Sequence, residues 1–219
     1  MKHFMKRICI YFFLISFPLS AESIEYTSQN ILKKENYRVM KDIYENLPPA
    51  KLPMKYPGEI TAMKRISGTQ LSKERLFSLQ DTKNHFEYDI LDYWEKFEEI
   101  SACRLPLSPN KKAIILRTYY RRFPDEKHRR EFFYLCLLND DYRIIDSMQI
   151  YDNSIHVGKS KPPMREEQDF LIAKDDSCIA TTHYYYLDTG KETFKTCDIY
   201  KLKEKEIFKE EKYISIQTK

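Results

Sequence analysis

The chain has 219 residues, 37 Lys plus Arg against 33 Asp plus Glu, a formal net charge of +4, and only four glycines. A phosphate-cradling loop needs closely spaced glycines to bring backbone N–H groups to a ligand, and neither G-x-G nor G-x-x-x-x-G-K-[ST] occurs. With no G-x-S-x-G nucleophile elbow either, nucleotide-dependent chemistry and an α/β-hydrolase are both disfavoured.

The amino terminus reads as a secretory leader over residues 1–21. Lys2, Lys6 and Arg7 form a basic start, Ile8 to Phe17 an apolar run, and Pro18 precedes the small residues Ser20 and Ala21. Cleavage is expected near Ala21 or Ser23. The run is about ten residues, short of the roughly twenty that cross a bilayer as a helix, so no transmembrane segment is expected in the mature chain. Removing three cations leaves 34 against 33 acids, a net of +1. The basic balance belongs mostly to the leader, and nucleic-acid binding is not supported. The mature protein is expected in the periplasm or secreted.

Residues 22–99 read as a helical and extended region. Leu32, Tyr37, Met40, Ile43 and Tyr44 approximate one apolar stripe over 25–46, ended by Pro48 and Pro49. Residues 47–60 hold four prolines and Gly58 and read as an extended connector. A short helix is expected around Ser72–Leu79. Residues 85–100 fit both helix and strand spacing, and the second half leans to helix.

Residues 100–219 change character: short, Tyr-rich apolar runs alternate with turn clusters, the pattern of an antiparallel meander. Strands are expected at 100–107, 112–121, 131–138, 143–151, 169–174, 177–187, 192–202 and 213–217. The runs at 112–120 and 131–138 are apolar on both faces, which requires burial on both sides. The expected fold is therefore α+β, one compact domain in which N-terminal helices precede an antiparallel sheet. That sheet either packs the helices on one face or folds over itself as a sandwich.

Four cysteines follow the leader: Cys103, Cys136, Cys178 and Cys197. An even number in an exported chain suggests two disulfides. Cys178 and Cys197 share a hairpin, but a turn centred on Thr189 and Gly190 sets Cys197 opposite Thr182. That is about 13 Å of strand from Cys178, too far for a bridge. The pairing stays open. No C-x-x-C or H-x-x-x-H spacing suggests zinc, no calcium loop occurs, and no cofactor is expected.

The strongest charge feature is the hairpin tip at 117–130. Arg117, Arg121, Arg122, Lys127, His128, Arg129 and Arg130 interleave there with Tyr119, Tyr120 and Phe123. It reads either as a grip for phosphates, anionic headgroups or an acidic protein, or as a solvated end neutralised by Asp125, Glu126 and Glu131. Tyr184, Tyr185 and Tyr186 alternate faces and cannot form one stacking platform. The histidines left after the leader are His85, His128, His156 and His183, of which His183 reaches toward Asp198 diagonally across its hairpin.

No catalytic spacing emerges, and no family is recognised at motif level. The leading expectation is an exported, non-catalytic binding protein with a protein partner; an envelope inhibitor or immunity-type protein is one form of it. The alternatives are a hydrolase with a spatially assembled site using His183 or His156, and a secreted factor that contacts a host surface.

Overall fold

The computed structural model describes residues 37–58, 62–66, 97–107, 110–120, 129–153, 156–157 and 164–216. All belong to one compact unit, Asn36–Lys219. The leader, the 72–79 helix and the first part of 85–100 lie outside the described residues.

Eleven strands run through these residues: β1 Met54–Tyr56, β2 Lys64–Ile66, β3 Phe97–Arg104, β4 Lys112–Tyr120, β5 Arg130–Leu138, β6 Ile144–Asp152, β7 His156–Val157, β8 Met164–Ile172, β9 Ser177–Tyr186, β10 Glu192–Leu202 and β11 Ile207–Ile216. They form two antiparallel sheets. The first has the order β2-β3-β4-β5-β6, and the second β1-β8-β9-β10-β11, with β7 also on β8.

The sheets rather than helices dominate, which corrects the expected α+β plan. Among the described residues there is one short helix, over 37–45. Its stripe is the expected one: Met40 is buried, and Tyr37, Ile43 and Tyr44 pack beside it on the first sheet. Asn46 closes it, donating from its backbone N–H and its side-chain amide to the Asp42 carbonyl at 3.1 and 2.8 Å. Phe97–Ile100, leaning to helix in the sequence, begins β3 instead. Phe97 and Ile100 stand three apart, so alternation does not mark this stretch; the ladder to β4, with Ile100 opposite Thr118 and a bulge between Phe97 and Glu99, makes it strand.

The first sheet is buried on both faces, as the two-faced runs require. One face carries Ala102, Ile114, Leu116, Tyr134, Cys136 and Leu138 against Met40 and Leu47 of the helical segment. The other carries Cys103, Ile115, Phe133, Leu135 and Leu137 against Met54, Phe170, Ile172, Cys178 and Leu202 of the second sheet. The chain thus covers one face with a helix and the other with a sheet.

The four cysteines are free thiols, which corrects the two expected disulfides. Facing excludes every pairing except Cys103 with Cys178, which share the core between the sheets as separate thiols. Cys103 pairs with Ile115 on β4 while Cys136 pairs with Ile114, so they stand on opposite faces of the first sheet. Cys178 pairs with Tyr200 and Cys197 with Thr181, which places those two on opposite faces of the second. The sequence argument against a Cys178–Cys197 bridge holds, although the register differs from the expected one by a residue. The loop closes with Gly190 in the left-handed region (φ 65°) and its N–H donating to the Tyr186 carbonyl at 2.9 Å. That turn sets Glu192 opposite Tyr185, two residues from the expected Leu187, and a bulge between Glu192 and Phe194 takes one of them back. Burial pushes the Cys103 and Cys178 thiols up to about 12 and raises Cys136 as well, which keeps all three as unreactive thiols.

Candidate functional site

The most organised polar cluster lies on the face of the second sheet that turns away from the first. There His183, on the central strand β9, sits between carboxylates from both neighbouring strands. Its Nε2 is 2.7 Å from Asp169 Oδ2 on β8, and its Nδ1 is 2.8 Å from Glu192 Oε1 on β10. Register builds the clamp. His183 pairs directly with Glu167 and Lys195, so Asp169 is its diagonal neighbour on one side. On the other side the turn and bulge bring Glu192 opposite Tyr185 and onto the same face. Tyr185 lies beside the imidazole, ring centroids 6.3 Å apart, and itself carries the Arg165 guanidinium at 5.1 Å. Arg165 pairs with Glu167 at 3.0 Å.

Burial alone would lower the His183 pKa. The hydrogen bonds and charges of Glu192 and Asp169 outweigh it, and the net shift is upward. With both ring nitrogens protonated the imidazolium donates to both carboxylates. The neutral ring has one N–H, and one carboxylate then faces a lone pair. Neither nitrogen is open to take a proton from the nearby Thr181 or Cys197, so the clamp does not supply a general base in this arrangement.

The raised folded-state pKa has a definite stability sign. The stabilisation is fully present below the ordinary histidine value of 6.5 and is lost as pH rises through the higher folded value. The thermal midpoint of the parent protein should therefore exceed that of His183→Gln by more at about pH 6 than at about pH 9. Melting curves of both proteins across that range check this; a gap that widens toward pH 9 rules the clamp out.

Asp198, the expected partner of His183, belongs to the opposite face. It pairs with Ala180, and Lys209 Nζ lies 2.8 Å from its Oδ1. The one-residue register shift that moved Cys197 opposite Thr181 also moved Asp198 away. The true partners left only a weak sequence signal: Asp169 and Glu192 follow from strand pairing once both turns are fixed, and a bulge is invisible to alternation. His156 lies on β7 opposite Glu166, and His85 and His128 are outside the described residues.

The basic tip is divided. Arg121, Arg122, Lys127 and His128 lie outside the described residues. Arg117 is held by Glu131, its Nε against Oε1. Arg129 makes ion pairs with Glu98 at 3.1 Å and Glu99 at 3.6 Å, and its guanidinium lies 4.5 Å over the Tyr119 ring. Arg130 begins β5 opposite Tyr120. Two of the candidate anion-gripping arginines are thus engaged within the molecule.

Sequence reasoning missed the role of Glu131 itself. It is 7 % exposed, and besides Arg117 it accepts from the Tyr56 hydroxyl at 2.7 Å and the Tyr119 hydroxyl at 3.0 Å. Tyr56 belongs to the second sheet, so the carboxylate ties the two sheets together.

The Tyr cluster divides as alternation requires. Tyr184 stacks on Phe194, centroids 4.3 Å apart and planes at 15°, while Tyr185 faces the clamp. Beyond this stack the second sheet carries the exposed large apolar side chains of the described residues: Tyr186, Leu187, Phe208, Tyr213 and Ile214.

Among the described residues no group of His, Cys, Asp and Glu is arranged to hold a metal ion, and no helix is long and apolar enough to cross a membrane. The chain matches no protein-family model, no curated protein and no solved structure.

Proposed function

We propose that the protein is an exported, non-catalytic binding protein that works by protein–protein contact, and that the β11 edge of the second sheet receives the partner. An envelope inhibitor or immunity-type protein is one form this takes. The leader over residues 1–21 carries the chain out of the cytoplasm, to the periplasm or the medium.

The observation that carries the reading is the exposure of β11. Ile214 is 63 % and Tyr213 53 % exposed, and Phe208 is exposed as well. Tyr213 and Ile214 stand on opposite faces of this edge strand, so a segment added beside it meets an exposed apolar side chain on each face. The strand also stands last in its sheet: its first N–H, of Ile207, donates to Asp146 Oδ2 at 2.6 Å, and beyond that residue no strand among the described residues pairs with its outer edge. An extended segment of a partner can add there as a further strand. Lys209, Glu210, Glu211 and Lys212 in the middle of β11 restrict that pairing to segments of complementary charge, which also discourages indiscriminate edge association.

The test is a photo-crosslinking residue placed at position 213 or 214 in the source organism, with position 55, exposed on β1, as control. One protein adduct is expected at 213 and 214, none at 55, and loss of the adduct on Ile214→Asp. Absence of any adduct at 213 and 214 sinks the partner site. The mass of the recovered protein reports export separately, since a cleaved leader shortens the chain at Ala21 or Ser23.

A further inference from the structure

A second surface feature, sharing no residue with β11, lies where β3 ends and β4 begins. A cleft of about 300 Å³ opens there, lined by Arg104, Lys111, Lys112, Tyr44, Leu105 and Leu107 among others. Its backbone is firmly set. The Arg104 N–H donates to the Pro48 carbonyl at 3.0 Å, and the Ala50 N–H donates to the Arg104 carbonyl at 2.8 Å, so the arginine is pinned from the segment that follows the helix. Leu105 is buried and its N–H donates to the Ala113 carbonyl at 2.9 Å, fixing the apolar floor against β4.

The charges are unequal in a way that selects a ligand. Lys111 is paired with Asp176 at 3.0 Å and Lys112 with Asp140 at 2.9 Å. No ion pair to Arg104 occurs among the described residues. Three cations set against two carboxylates leave one positive charge, and it resides on a guanidinium, whose planar fork matches a carboxylate. Tyr44 adds a hydroxyl; burial raises its pKa despite Arg104 and Lys112, so it remains a hydrogen-bond donor. The volume sits at the lower end of ligand sites, enough for a few carbon atoms beside the charged head.

We infer that this cleft is a binding site for a singly charged carboxylate with a short apolar body, gripped by Arg104 and seated on Leu105 and Leu107. Two sources present that chemistry, a free short-chain carboxylic acid and the carboxy-terminal residue of a polypeptide. A dianion is poorly matched, because the two lysine charges are already neutralised.

The experiment titrates the intact ¹⁵N-labelled protein with four probes while amide and arginine side-chain resonances are followed. The probes are hexanoate, acetyl-glycyl-leucine with a free carboxylate, the same peptide amidated, and inorganic phosphate. Saturable shifts confined to residues 104–107 and 111–112 are expected with hexanoate, the free-carboxylate peptide or both; the tighter of the two identifies the source. Arg104→Gln should weaken that binding about ten- to a hundredfold, the range for losing a charge-assisted hydrogen bond. Arg104→Lys should retain part of it, and an unchanged thermal midpoint in both variants confirms that the fold is intact. Three results overturn the inference: no saturable binding of either carboxylate, phosphate or amidated peptide binding as tightly as the carboxylates, or undiminished hexanoate binding in Arg104→Gln.

Discussion

Glu131→Ala is expected to destabilise the protein by about 3 kcal/mol, the low end of what breaking a buried ion pair costs. The carboxylate accepts from three donors on two strands: the Tyr56 hydroxyl of β1, and Arg117 Nε and the Tyr119 hydroxyl of β4. Removing it strands all three. Arg117 matters most, because its guanidinium lies 4.9 Å from the Tyr119 ring centre and 5.5 Å from that of Phe133, and burial by itself would lower its pKa. Glu131 reverses that shift, holding the arginine above its ordinary value. The estimate stays at the low end since the Arg117 side chain keeps 27 % of its exposure and can recover some hydration. For a chain of this size the thermal midpoint should fall by about 10 °C. Glu131→Gln retains an acceptor and should lose less. Denaturant titration of the two variants with Arg117→Met, and of the Glu131→Ala/Arg117→Met double variant, separates the terms. A coupling energy near zero between positions 131 and 117 would show that the pair does not carry the loss.

The same carboxylate shows where sequence reading stopped. In the sequence Glu131 stands beside a run of arginines and reads as one of several neutralising acids. Its burial follows from two long-range events: β4 and β5 pair with Tyr119 opposite Glu131, and Tyr56 arrives from a three-residue strand in the other sheet. Strands this short leave no periodic trace, and a connector holding four prolines gives no sign that it spans both sheets. By contrast, β4, β5, β6, β9 and β10 were legible to within a residue or so. Each is nine to eleven residues long, bounded by turn residues, and patterned by the face it buries. The helix over 37–45 was legible in its stripe and in its stop at Pro48, because both signals are local. What alternation could not supply was register. One residue of shift along the β9–β10 ladder moved Asp198 off the face of His183, while the turn and bulge brought Glu192 opposite Tyr185, two residues nearer His183 than the expected Leu187.

Within a two-faced strand that dependence on facing becomes measurable at adjacent positions. Phe133 is fully buried between the sheets, with ring centroids 4.7 Å from Tyr56, 5.6 Å from Tyr151 and 5.3 Å from Phe170. Phe132 points to the helix side, partly buried, 6.2 Å from Tyr134. Phe133→Ala removes the ring that three aromatic neighbours from both sheets pack around, and they cannot close the gap without moving one sheet toward the other. A loss of about 3–5 kcal/mol is expected, with a midpoint fall on the order of 10 °C. Phe132→Ala loses less apolar burial and opens no enclosed cavity, so about half that loss or less is expected. Phe133→Leu, which keeps most of the volume, should fall between the two. Denaturant midpoints and slopes for the three variants decide the matter. Equal losses at 132 and 133 would mean that the contact between the sheets contributes no more to stability than the helix-side packing, and would displace the aromatic cluster from its place as the main link between the two sheets.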